Sequence, residues 1–233
     1  MRVKNIAFVA CIAGATLAVA AVLAAQANLI TNGSFELPVV SAGGFASFAV
    51  GSTAIPGFTV VGPAGKEVSI ASGSSSQFDV SFPAEDGSQW LDLTGLASNS
   101  TEGVAQTIAT TIGHVYQLSY FIGDTTGGGV FGSTSTVNVS VNGVPTFSDT
   151  NSTVSPTTLT YQQFTHTFIA TGISTTLVFL NGDPPSDNSN MLDNIVLADL
   201  SPAGASPVPE PTLLALFGTG LYGSGLVRHR KTT

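Results

Sequence analysis

Between Asn28 and Pro207 the chain lacks the 3.6-residue repeat of an amphipathic helix and shows short runs of β-branched and aromatic residues instead. Clusters of Gly, Pro, Asn and Ser separate these runs, as turns separate strands. The predicted strands are Asn28–Phe35, Phe58–Val61, Val68–Ala71, Phe78–Phe82, Gln89–Thr94, Val104–Thr110, Val115–Ile122, Thr136–Val141, Val144–Phe147, Phe164–Ala170, Thr175–Leu180 and Met191–Leu200. These are about eleven strands and the hairpin partner Val144–Phe147 in roughly 180 residues. Short strands at this spacing are typical of a β-sandwich. The pattern predicts one all-β domain over residues 28–200.

Alternation along single strands indicates which side chains face the core. Val137, Val139 and Val141 point to one face of their predicted strand, while the polar residues between them point to the other. Asn142 and Gly143 follow directly, and this pair favours a two-residue hairpin turn. The sequence therefore predicts a hairpin with one buried face in this part of the body.

The N-terminal end differs from this body. Arg2 and Lys4 precede an apolar run, Ile6–Ala24, and the small residues of Ala25–Ala27 follow. A basic start, an apolar run and a small-residue cleavage site are the three parts of a secretory signal peptide. We predict a signal peptide over residues 1–27, handled by the Sec translocon, with an N-terminal membrane anchor as the alternative.

The C-terminal end has three features in a fixed order. A Pro- and Ser-rich linker at 201–207 leads into a short motif, an apolar run at 212–227 and a basic end. The motif is Val208, Pro209, Glu210 and Pro211, and the basic end contains Arg228, Arg230 and Lys231. Sixteen helical residues rise roughly 24 Å, against a hydrocarbon layer of about 30 Å. Basic residues favour the cytoplasmic side, which leaves the body outside.

This combination resembles the PEP-CTERM sorting signal. The resemblance covers residues 208–233 and implies an exosortase as a partner during export. It also implies a Gram-negative bacterium, with the protein at the cell surface or in the extracellular matrix, transiently held by a short C-terminal transmembrane helix. A plain single-span anchor is the alternative.

Charge narrows the possible partners. Only 9% of residues are charged and the formal net charge is −8. Lys66 is the one basic residue between Asn28 and Pro207, against 13 acids. Because binding a polyanion requires clustered Lys and Arg, we exclude nucleic acid as a partner. The single Cys11 excludes a disulfide scaffold and a cysteine zinc site.

Several short motifs in the body occur in an order that resembles a known family. They are NLITNGSFE (Asn28–Glu36), DGSQWLDL (Asp86–Leu93), VAQTI (Val104–Ile108), VYQLSY (Val115–Tyr120) and MLDNI (Met191–Ile195). Together they resemble domain-of-unknown-function family 642, and the outline is similar to sandwich-fold carbohydrate-binding modules. The resemblance spans nearly all of the body and implies a galactose-binding-like jelly-roll sandwich.

The resemblance also implies a structural calcium ion. Glu36 ends the first predicted strand and Asp193 begins the last, and the terminal strands of such jelly rolls are neighbours. Family members often hold Ca²⁺ there with a carboxylate from each motif and backbone carbonyls, and hard oxygen ligands suit this ion. The alternative is that both carboxylates cap turns.

A sugar site is the second chemical prediction. Leu91 and Leu93 share one strand face, so Trp90 and Asp92 point to the other, where an indole ring could stack on a pyranose beside a carboxylate acceptor. Tyr161, at the start of its strand, is a third candidate. The alternative is that Trp90 packs in a second layer with its N–H hydrogen-bonded.

Catalysis has weaker support. His166 alternates with Phe164 and Phe168, which is typical of an interior histidine, and no metalloprotease or nucleophile motif is present in the sequence. We predict an exported, non-catalytic sandwich that binds extracellular polysaccharide. A structural or adhesive matrix protein without a sugar site is the alternative, followed by a glycan-active enzyme.

Overall fold

The computed structural model describes residues 27–95, 101–153, 155–184 and 190–201. Extended runs rich in Val, Ile, Phe and Thr form thirteen strands in this part of the chain. They are β1 Phe45–Ala49, β2 Thr59–Val61, β3 Glu67–Ser72, β4 Ser75–Gln77, β5 Val80–Phe82, β6 Gln89–Asp92, β7 Gly103–Ala109, β8 Val115–Asp124, β9 Ser135–Val141, β10 Val144–Asn151, β11 Thr160–Ile169, β12 Ser174–Asn181 and β13 Met191–Asp199. A 3-10 turn, Gly127–Gly129, follows β8.

Two antiparallel sheets form the body. The six-stranded sheet has the order β1-β3-β6-β13-β8-β11, and the five-stranded sheet has the order β10-β9-β12-β7-β2. The short hairpin β4-β5 makes a third, two-stranded sheet. The all-β sandwich that the sequence predicts is confirmed, and the Asn142-Gly143 turn joins β9 to β10 as expected, with positive φ at both residues.

An apolar layer fills the space between the two large sheets, and we call it the inner core. Its fully buried members alternate along their strands with residues of the opposite face, as Leu91 and Leu93 do on either side of Asp92. They include Val68, Ile70, Leu118, Tyr120, Ile122, Val137, Leu177, Phe179, Leu192 and Leu197. This burial is the main source of stability of the sandwich.

A second apolar group lies on the other face of the six-stranded sheet, and we call it the outer cluster. Strands of that sheet contribute part of it, and the rest comes from the β4-β5 hairpin and two loops. Its members are Ala71, Val80, Phe82, Trp90, Phe131, Leu159 and Met191. Around the outer cluster, the six-stranded sheet therefore has apolar side chains packed on both of its faces.

The predicted first strand, Asn28–Phe35, is wrong. Asn32 and Phe35 have φ of 58° and 53°, which no strand accommodates, and the segment runs in turns beside β13. Backbone hydrogen bonds join Leu29 to Leu197 and Ile195 to Gly33. A Cβ at Gly33 would lie 2.1 Å from the Ile195 carbonyl oxygen, so only glycine allows this close approach. The first and last segments of the domain nevertheless lie side by side, as predicted.

Two further differences concern short strands. Strands β1 and β4 were not predicted from the sequence, because their residues are mostly Ala, Ser, Phe and Gln and show little of the β-branched pattern typical of strands. The predicted strand Phe78–Phe82 is shorter in the structure because Phe78 and Asp79 form the turn of the β4-β5 hairpin. Both differences occur at the cavity described below.

The predicted signal peptide at 1–27 and sorting segment at 208–233 lie outside the described residues, apart from Ala27. The linker at 201–207 is described only at its first residue. Among the residues that the structure does describe, no helix is long and apolar enough to cross a membrane.

Candidate ligand-binding site

A cavity of about 480 Å³ opens on the outer face of the six-stranded sheet. Strand register explains why it forms there. Phe45 of β1, Ala71 of β3 and Trp90 of β6 are direct cross-strand neighbours, so the three side chains form one row on this face. Neighbouring strands are about 4.8 Å apart, and the small Ala71 side chain leaves a hollow between two aromatic rings.

A second row of cross-strand neighbours continues the hollow. Ser47, Ser69, Asp92 and Met191 follow one another across β1, β3, β6 and β13. The hydroxyls of Ser47 and Ser69 are 2.8 Å apart and hydrogen-bonded to each other. The second row therefore adds hydroxyls and one carboxylate to an otherwise apolar floor.

Trp90 is almost fully buried at the edge of the cavity. Its side chain is only 4% exposed, its Nε1 donates to the Phe82 carbonyl oxygen at 3.1 Å, and its ring stacks on Phe82 with centroids 6.0 Å apart. Trp90 lines the cavity but lies in the outer cluster, so it cannot present a free face to a sugar ring. The alternative of second-layer packing describes it better.

Phe45 is the exposed aromatic ring at the cavity. It is 58% exposed on the edge strand β1 and lines the cavity opposite Trp90. Sequence reasoning missed Phe45 because β1 was not predicted. The isolated aromatic residue between Gly44 and Ala46 is the one signal that pointed to it.

Asp92 is the ionisable group of the cavity. Its Oδ1 accepts hydrogen bonds from the Thr94 backbone N–H at 2.8 Å and the Thr94 hydroxyl at 2.7 Å. Burial raises the pKa of Asp92 to about 6, although both hydrogen bonds act to lower it. The prediction that Asp92 points away from Leu91 and Leu93 is confirmed by its place in the cavity.

The β4-β5 hairpin forms the polar rim. Ser75, Ser76 and Gln77 line the cavity from this hairpin, and the latter two are exposed. The hairpin turn is unusual because Phe78 and Asp79 both have positive φ, at 51° and 61°, where Asn-Gly is preferred. A bulky residue in this region is strained, and strained residues concentrate at functional sites.

Phe78 is also 62% exposed, with its ring centroid 5.9 Å from that of Phe131. The hairpin therefore holds a second aromatic ring in solvent next to a lining residue.

Tyr161 does not belong to the cavity. It is half-buried against the outer cluster, and its hydroxyl donates to the Pro83 carbonyl oxygen at 3.1 Å. Burial raises the pKa of Tyr161 well above its usual value. Tyr161 therefore packs against the outer cluster in this structure, and its sugar contact stays a prediction.

Glu36 and Asp193 lie on either side of one loop. Glu36 Oε1 accepts the backbone N–H groups of Ser88 and Gln89 at 2.7 and 2.8 Å. Asp193 Oδ2 accepts those of Glu85 and Asp86 at 2.8 and 3.1 Å. Both carboxylates thus cap the loop that leads into β6.

These contacts bear on the predicted calcium ion. In the described part of the chain, no three His, Cys, Asp or Glu side chains gather closely enough to hold a metal. Burial raises the pKa of Asp193 to about 8, and the nearby Glu85 carboxylate adds to this effect. The carboxylates do not form a closed cation cage in this conformation, and calcium remains a prediction of the resemblance.

His166 lies between the sheets. Its Nε2 is 2.6 Å from Asp149 Oδ2, and the same oxygen accepts a hydrogen bond from the Tyr120 hydroxyl. The His166 ring stacks on Phe147 with centroids 4.1 Å apart. His114 pairs with Asp199 at 2.7 Å. Both histidines have protein partners, and neither lines the cavity.

The sequence profile of the family described as "Protein of unknown function (DUF642)" matches residues 28–197. The chain belongs to the DUF642 family. The match covers the sandwich except for the last two residues of β13 and includes every residue that lines the cavity, and no curated protein matches the chain.

Solved structures with similarity to this DUF642 chain have low sequence identity to it. The Stig cyclase Fisc from Fischerella sp. TAU is 16% identical, with a TM-score of 0.52, over 76% of this chain and 98% of the cyclase. The CBM22-1 xylan-binding domain of Paenibacillus barcinonensis Xyn10C is 16% identical, with a TM-score of 0.43, over 70% of this chain and 99% of that domain. TmCBM61, solved with β-1,4-galactotriose, is 16% identical, with a TM-score of 0.44, over 75% of this chain and 99% of TmCBM61.

Proposed function

We propose that this DUF642 protein is a non-catalytic glycan-binding sandwich that acts in extracellular polysaccharide or a biofilm matrix. The observation that carries the proposal is the cavity, with an exposed aromatic ring on one side and hydroxyl, amide and carboxylate groups around it. A sugar ring has apolar C–H faces and a polar edge, and this distribution of groups is complementary to it.

The size and build of the cavity support binding. Its volume of about 480 Å³ lies within the range of small-molecule sites, roughly 300–1,000 Å³. Phe45 is the proposed stacking platform, and Asp92, Ser76 and Gln77 are the proposed hydrogen-bond partners. The floor is fixed by β-sheet register and by the outer cluster, so the site is held rigidly before a ligand arrives.

Export forms the second part of the proposal. A signal peptide at 1–27 and the PEP-CTERM segment at 208–233 would bring the sandwich outside a Gram-negative cell, through the Sec translocon and an exosortase. The C-terminal helix would hold it at the membrane until the segment is processed. A body with one basic residue against 13 acids suits a soluble extracellular domain that avoids polyanions.

The first test is a thermal melt of residues 28–207 across a panel of plant and bacterial polysaccharides, followed by calorimetry on any ligand that raises Tm. Phe45→Ala and Ala71→Leu probe the cavity, because the first removes the platform and the second fills the hollow. Ile173→Ala, at an exposed apolar residue in the turn after β11, is the matched control. We expect both cavity variants to weaken binding at least tenfold and the control to bind like wild type.

A structural or adhesive matrix protein without a sugar site is the second candidate, and the burial of Trp90 favours it. An absence of any Tm shift across the panel would support this candidate over glycan binding. Equal binding by wild type, Phe45→Ala and Ala71→Leu would place the glycan site elsewhere.

A further inference from the structure

We propose that the cavity selects uncharged sugars and disfavours glycans that carry carboxylates, such as uronic acid polymers. This inference rests on the proposed glycan binding and adds the class of ligand. The inference depends on the sign and position of the charged groups at the cavity. Asp92 brings a negative charge to the lining, and no basic residue of the lining balances it.

The first step concerns the lining itself. Among the described residues that line the cavity, Asp92 is the single ionisable side chain, and no Lys, Arg or His is present. Recognition of a carboxylate in a protein normally uses Arg or Lys, which pair with its oxygens. The cavity offers a carboxylate ligand no such partner.

The second step concerns the surroundings. Glu67 lies on the same face of β3 as Ser69, two residues along the strand, and the charge of Glu102 acts on Asp92. Lys66 directly precedes β3 and does not line the cavity. These acidic groups add to the negative charge that Asp92 brings to the cavity, and no basic residue lines it.

The third step concerns what the cavity can offer instead. The Asp92 carboxylate accepts hydrogen bonds, and the exposed Ser76 and Gln77 side chains both donate and accept them. Sugar hydroxyls satisfy such groups without any charge, while a uronate in the same place adds like-charge repulsion that no basic side chain of the lining offsets. Specificity of this kind comes from the repulsion of the wrong ligand.

The test compares neutral oligosaccharides with carboxylated partners of the same backbone. Galacturonan oligosaccharides with methyl-esterified or free carboxyls form one pair, and xylo-oligosaccharides without or with glucuronate branches form another. We expect calorimetry to show at least tenfold tighter binding of a neutral member than of its charged partner. High salt should narrow the gap by screening the repulsion, while leaving the neutral affinity unchanged.

Gln77→Lys places one positive charge on the cavity rim and should raise affinity for the carboxylated member several-fold. Thr167→Lys puts the same charge on β11, at the opposite edge of the same sheet, and should change neither affinity. Melts of both variants confirm folding before binding is measured. If Gln77→Lys proves unstable, Ser76→Lys at the neighbouring rim position replaces it.

The outcomes separate the two proposals. Equal binding of both members, or tighter binding of the carboxylated one, overturns the charge selectivity and leaves glycan binding in place. A panel in which no member of either pair, and no other glycan, shifts Tm overturns the proposed function and the selectivity with it. Equal effects of Gln77→Lys and Thr167→Lys would assign any selectivity to net charge and overturn the role of the cavity.

Discussion

The two faces of the six-stranded sheet carry apolar groups of different kinds. The inner core is sealed by a second sheet along the length of the strands, and most of its side chains have no solvent exposure. The outer cluster is covered only by a short hairpin and loops, and it ends in a cavity next to the exposed Phe45. Strands β3, β6 and β13 contribute side chains to both groups.

This difference shows how one sheet can separate stability from binding. Alternation sends Leu91 to the inner core and its neighbours Trp90 and Asp92 to the outer face. A complete second sheet leaves no room for a ligand, while an incomplete cover leaves both a hollow and polar edges. The predictions below test this division.

Core truncation should show the largest difference. Phe179→Ala, at 0% exposure in the inner core, should lower the free energy of unfolding by about 3–5 kcal/mol. Phe131→Ala, at 9% exposure in the outer cluster, should cost at most about half as much, because its open surroundings can relax or admit water. Urea unfolding with unchanged m-values would measure both, and equal costs would show that the outer cluster is a full core.

The calcium prediction comes next. If an ion binds between Glu36 and Asp193, a chelator should lower Tm by several degrees, because the ion offsets repulsion among the carboxylates around residues 85–88. Added calcium should restore it, and Asp193→Asn should abolish the response. Identical melts with and without chelator would leave loop capping as the role of both residues.

Ionisation of Asp92 should make stability depend on pH. Its pKa is raised from 3.8 to about 6 in the folded protein, so the folded state binds the proton more tightly than the unfolded chain. The stabilising contribution is therefore complete below about pH 4 and is lost as the pH rises through about 6. Asp92→Asn should flatten this part of the profile in denaturant titrations, and an unchanged profile would show that Asp92 is solvated as an ordinary carboxylate.

The smallest effect should come from the strained hairpin turn. Asp79→Gly should raise the free energy of unfolding by up to about 1 kcal/mol, since glycine adopts φ of 61° without steric cost. Ser76→Gly, three residues earlier in strand β4 of the same hairpin, is the control and should lower stability. A destabilising Asp79→Gly would mean that the Asp79 side chain makes contacts worth more than the strain it brings.

Local patterns explain which parts of the site were predictable. Alternation around Leu91 and Leu93 sufficed to place Asp92 on the outer face, and the cavity confirms it. The same alternation could not say whether that face was open or covered at Trp90, because the cover comes from Phe82 and Phe131, distant in sequence from each other. The packing of Tyr161 was not predictable for the same reason, since its hydrogen-bond partner Pro83 lies on another loop.

The all-β class, most strand positions, the inward and outward faces of the strands and the scarcity of basic residues follow from the sequence alone. These properties follow from composition and from a period of two, both of which are local. The tertiary structure decided that Phe45, Ala71 and Trp90 stand in one row, that the hollow lies over Ala71, and that Trp90 is buried. Register between strands and the packing of loops over a sheet depend on residues far apart in the chain, so no local pattern contains them.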